Sequence, residues 1–188
     1  MALSKIDPVS SIDLADTEYF HVDLTTAQTS LTDDTSYIVD FGGSGTVKYD
    51  TKSNFDSAND AYLLDSSDGV YLISYSVGLR SASLTTEAVL DTASMLRVAT
   101  DGSTFSPIQG AGSHPQDNNA MEIGSLTLSG TFIYKATTAT TKIDLQVCVN
   151  TASGPNWAIS ADVGDLQNAT ITGASSARCT FLSIVRIA

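Results

Sequence analysis

Two histidines are the natural starting point for acid–base or metal chemistry in this chain. His21 stands between Phe20 and Val22, and His114 precedes Pro115 inside the polar, glycine-containing stretch from Gly110 to Asn119. Ser113, His114 and Asp117 make a triad only on paper, because neighbours in one loop do not align a hydroxyl, an imidazole and a carboxylate. The chain has no G-x-S-x-G elbow, Walker loop, G-x-G-x-x-G turn, H-E-x-x-H pair or cysteine pair at zinc spacing. Two acidic turns, Asp65 to Asp68 and Asp162 to Asp165, offer oxygen ligands to a hard cation such as Ca²⁺. Neither has EF-hand spacing, and Asp favours turns by bonding its own backbone. Asn168-Ala169-Thr170 fits the glycosylation pattern, read here as a chance match because no secretory signal is seen. No catalytic residue, metal or cofactor is expected, and the chain is not read as an enzyme.

Charge removes further classes. Nine Lys and Arg face 21 Asp and Glu, a formal net charge of −12, which repels phosphate backbones and anionic lipid. Nucleic acid and membrane surfaces are therefore not expected partners. The opening residues lack an apolar run of signal-peptide length, and no stretch approaches the about 18 apolar residues of a membrane span. Synthesis in a reducing cytoplasm is the expectation, with Cys148 and Cys179 as small buried hydrophobes.

The elements that must position any site are strands. With 188 residues the chain can bury one sizeable core. Apolar residues recur at spacing two, and Gly, Ser, Thr and Asn interrupt every helical window. Ile143, Leu145, Val147 and Val149 alternate with Asp144, Gln146 and Asn150; Leu126, Leu128, Phe132 and Tyr134 alternate with hydroxyls; Tyr71, Ile73, Tyr75 and Val77 form a third set. Gly130 within the second set predicts a bulge or a close backbone approach. Turn-forming clusters separate the strands at Phe41 to Gly45, Asp65 to Gly69, Asp101 to Ser103, Gly110 to Asn119 and Ser153 to Asn156. The closing strand differs: Phe181, Val185 and Ile187 fall on one face, Leu182 and Ile184 on the other. Either the chain's own loops cover its second face or another subunit does, and a subunit is the expectation.

Met1 to Asp16 spreads Leu3, Ile6, Val9, Ile12 and Leu14 through polar residues and reads as an extended arm, with one domain over 17–188.

The order Gly45, Tyr49-Asp50, Phe55, Gly69-Val70-Tyr71, then Ser129-Gly130 with Phe132, then Ile143 with Leu145 and Val147, then Thr180-Phe181 and an apolar ending, resembles the C1q/TNF head domain between Tyr37 and Ile187. Thr140-Thr141 stands where the family commonly has Gly-Asp, and Ser183 where it often has Gly. A collagen-like stalk is missing. The ending TFLSIVRI and the acidic, hydroxyl-rich composition also resemble small C1q-like structural proteins of bacteriophages.

These resemblances imply an all-β jelly-roll sandwich of about ten antiparallel strands that assembles as a homotrimer. Tyr71, Tyr75, Phe181, Ile184 and Ile187 are the candidate interface, with the tyrosine pair serving either core or interface. The implied function is a capsid decoration, or cement, protein on the virion of a tailed bacteriophage, assembled in the host cytoplasm. Its partner would be the major capsid protein, reached through Leu3, Ile6, Val9, Ile12 and Leu14. The alternative is a trimeric fibre tip whose polar loops bind a host surface glycan or protein.

Overall fold

A computed structural model describes residues 17–32, 35–81, 90–113, 125–151, 157–163 and 177–188. The arm expected at 1–16, with its five apolar residues, lies outside the described residues. So do His114, Asp117, Asp165, Asn168 and the turn at 153–156.

The alternation resolves into thirteen strands and one helical turn among the described residues. In chain order they are β1 (Tyr19–Leu24), β2 (Gln28–Leu31), β3 (Thr35–Ile38), α1 (Phe41–Ser44), β4 (Gly45–Asp50), β5 (Phe55–Asp56), β6 (Ala61–Leu63), β7 (Val70–Ser81), β8 (Leu90–Ala99), β9 (Ser106–Ser113), β10 (Ser125–Lys135), β11 (Lys142–Thr151), β12 (Trp157–Ser160) and β13 (Phe181–Arg186). The number exceeds the expected ten because short segments such as β2, β3, β5, β6 and β12 pair in their own right. Two expected turns are corrected. Gly110 to Ser113 continues β9, where backbone pairing to β8 outweighs the local glycines. Phe41 to Ser44 winds into one helical turn, because the Asp40 carboxylate accepts from Gly43 N at 2.7 Å.

Two antiparallel sheets face each other as a jelly-roll sandwich. The front sheet runs β2-β12-β7-β13-β1-β4, with β10 on the opposite edge of β7. The back sheet runs β5-β6-β11-β8-β9, and β3 also pairs with β11. Every alternating set identified in the sequence points its apolar members inward: Tyr71, Ile73, Tyr75 and Val77 from the front meet Ile143, Leu145, Val147 and Val149 from the back. Phe20 of β1 joins the layers, stacking on Tyr62 at 4.3 Å and Phe55 at 5.2 Å. Burial of one such ring stabilises by about 1.5–3 kcal/mol. Gly130 makes the close approach its position predicted: it pairs with Tyr75 without a register shift, and a β-carbon there would meet the tyrosine ring at 2.8 Å.

Two polar residues hold the sheet's edges. Along one edge β7 pairs first with β13 and then with β12, and the Gly78 amide at the changeover donates to Thr180 Oγ1 at 2.9 Å. The same hydroxyl donates to Ser160 O at 2.6 Å, so a Thr opening the last strand closes the gap between partners. At the root of β1, Glu18 is fully buried; its carboxylate accepts from Tyr71 Oη at 2.8 Å and Asp65 N at 3.0 Å. Burial raises its pKa above the ordinary carboxylate value, against the lowering effect of those two bonds.

Candidate functional site

In an antiparallel sheet alternate residues share a face, so the register lays out the front sheet's outer surface row by row. Tyr19 of β1 lies opposite Val185 of β13, Val185 opposite Leu72 of β7, and Leu72 opposite Ile133 of β10. These four side chains make an apolar stripe across four strands. Tyr49 extends it to the sheet's edge, its ring 5.2 Å from that of Tyr19. Ile187, whose amide donates to Val70 O at 2.7 Å, widens it on the other side. Ile133 is 63% exposed, Tyr49 57% and Ile187 51%, so this surface is open in one chain.

The next row is polar and small. His21, Ser183, Ser74 and Thr131 follow one another, and the Ser74 and Thr131 hydroxyls are bonded at 3.1 Å. Beyond it lie Asp23, Phe181, Ser76 and Ser129. The His21 ring stacks on Phe181 at 5.6 Å, and its Nε2 is 2.9 Å from Asp23 Oδ1. Among the outward positions of β1, β7, β10 and β13, Asp23 is the sole carboxylate. A chain carrying 21 acidic residues therefore has one large face almost free of them. Ser183 is paired across from His21, but among the described residues the imidazole's side-chain hydrogen bond goes to Asp23 and not to that hydroxyl.

This geometry divides the expected interface residues. Tyr71, Tyr75 and Ile184 point between the sheets, 0–1% exposed, and belong to the core. Phe181 and Ile187 point outward and stay in the candidate face. The periodicity identified both sides of the last strand; it could not say which side of β7 faced out. Val185 shares the outward side with Phe181 and Ile187, as the period of the last strand has it; Leu72, Ile133 and Tyr19 were not foreseen, although Leu72 stands between the inward Tyr71 and Ile73. Cys148 is half-buried rather than buried, and Cys179 is buried with its thiol donating to Ser160 O. Asp65 takes its place in the Glu18 bond network and near Lys52, and Asp162 lies 3.8 Å from Arg178.

No family model matches the chain, and no curated protein does. Solved structures do. Murine APRIL at pH 5.0 superposes with a TM-score of 0.55 at 9% identity, over 91% of this chain and 99% of that one. Eiger TNF from S. frugiperda gives 0.53 at 9% identity, over 92% and 93%. These are TNF-family jelly rolls, and the likeness shows that this chain has their fold.

Proposed function

We propose that this chain is a non-catalytic, homotrimeric structural protein that assembles through the outer face of its front sheet. The observation that carries this reading is the uncovered stripe of Tyr19, Val185, Leu72 and Ile133, with Ile187 beside it, on a face nearly free of carboxylates. Exposed apolar surface of that extent marks a partner site. A copy of the same chain is the partner the charge favours, because two molecules of charge −12 approach with least repulsion where acidic groups are absent. A contact between unlike patches forms a ring where its rotation closes and an open filament where it does not, and the resemblance to the C1q and TNF jelly roll supports closure at three.

The task proposed for this trimer is decoration of a tailed-phage capsid, with 1–16 lying on the major capsid protein. The phage-like ending TFLSIVRI and the apolar spacing of Leu3, Ile6, Val9, Ile12 and Leu14 support it. Many weak arm contacts, multiplied over a lattice, suit a cement role. Capsids prepared without this chain are expected to lose heat and low-salt resistance while adsorbing to cells normally. Deletion of 1–16 is expected to abolish capsid attachment and leave a soluble trimer. Unchanged resistance of the depleted capsids contradicts the cement role, and a loss of adsorption instead supports the fibre-tip alternative.

A further inference from the structure

From the placement of His21 we infer that self-association through the front face takes up protons, so that this chain assembles more tightly as pH falls from about 8 to about 6. The inference rests on the proposed interface and adds its regulation. His21 stands in the second row of that face, stacked on Phe181 with Nε2 on Asp23 Oδ1. The pair is only partly solvated in one chain, its side chains 23% and 11% exposed. Covering it with another copy removes the water that screens it. With a neutral imidazole the covered pair keeps the full negative charge of Asp23; with an imidazolium it is neutral. Burying an uncompensated carboxylate is far less favourable than burying a hydrogen-bonded ion pair. Association therefore selects the protonated form, and each protomer brings one such pair.

The surroundings of His21 contain nothing that would take over this role. Its own strand offers Tyr19 and Asp23. Across β4 its partner is Tyr49, flanked by Lys48, which is exposed, and by Asp50, whose carboxylate is occupied by the amides of Asn54 and Phe55. Across β13 lie Phe181 and Ser183, neither of which titrates in this range. Histidine is the side chain whose charge ordinarily changes between about pH 5 and 8, and the chain has two.

Sedimentation velocity on the full chain, at constant ionic strength and at about pH 8 and about pH 6, tests this. The trimerisation constant is expected to rise about tenfold or more on acidification, as linkage to proton uptake requires. His21→Gln flattens the response, His114→Gln leaves it intact, and Asp23→Asn gives tight association at both pH values. A pH-independent trimer, or a response that survives His21→Gln, overturns the inference and leaves the interface standing. A monomer at every pH and concentration overturns both.

Discussion

On the back sheet, the outward charges among the described side chains are closed into pairs: the Arg97 guanidinium forks onto the buried Asp144 carboxylate and lies 5.1 Å over the Phe105 ring, while Lys142 Nζ reaches Asp56 Oδ2 at 3.0 Å. On the front sheet the outward positions of β1, β7, β10 and β13 carry mostly aliphatics, aromatics and hydroxyls, with Arg80 and Lys135 toward the ends of β7 and β10 and one histidine–aspartate pair among them. Both sheets obey the same inward alternation, so the core does not distinguish them. Their exteriors do. Charges satisfied within the chain need no second molecule, whereas an open apolar stripe lowers its free energy only when something covers it.

The largest expected effect breaks this contrast outright. Ile133→Asp places a charge in the stripe at a side chain one chain leaves exposed, so folding is unaffected and trimerisation falls more than about a hundredfold, since desolvating an unmatched charge costs several kcal/mol. Gln109→Asp, on the exposed edge strand of the back sheet, leaves assembly unchanged; light scattering with circular dichroism reads both.

Asp144→Ala strands Arg97 and is expected to cost about 3 kcal/mol in urea unfolding. Ser74→Ala, on the hydroxyl row of the front face, costs less than about 0.5 kcal/mol in the same measurement. A reversal of these two would mean that the front face, rather than the back, is the self-contained one.

Gly130→Ala is expected to cost about 1–3 kcal/mol, because the new methyl meets the Tyr75 ring from the neighbouring strand. Thermal unfolding checks it, and a stabilised variant would show that β10 is free to shift.

The smallest effect is in pH. Burial raises the pKa of Glu18, Asp60 and Asp144 above the ordinary carboxylate value. Raised groups bind protons more readily folded than unfolded, so their contribution to stability is complete below the unfolded pKa and is lost as pH rises through the folded one. A shallow decline of unfolding free energy from about pH 4 upward is expected, made shallower by Glu18→Gln. A rise over the same range would mean that hydrogen bonds to these carboxylates outweigh their burial.

Much of the fold was legible because period two survives in the strands that build the core. Ile143 to Val149 and Tyr71 to Val77 declared their inward residues without help from tertiary structure. Local signals failed where a distant strand decided the outcome. Gly110 and Gly112 look like turn residues until β8 pairs with them, and nothing in the local sequence marks Glu18 as the buried partner of Tyr71 and Asp65. The candidate face was half legible. Phe181 and Ile187 follow from a strand apolar on both sides, but joining Tyr19, Val185, Leu72 and Ile133 requires the register of four strands far apart in sequence. Tyr71 and Tyr75 were drawn into the interface because alternation gives two faces and does not name the inner one.

The most direct test of the central claim is the molar mass of the full chain in solution, measured by light scattering over a range of concentrations near neutral pH. The account predicts a species of three chains that dissociates on Ile133→Asp. A wild-type chain that stays monomeric as its concentration is raised would contradict it.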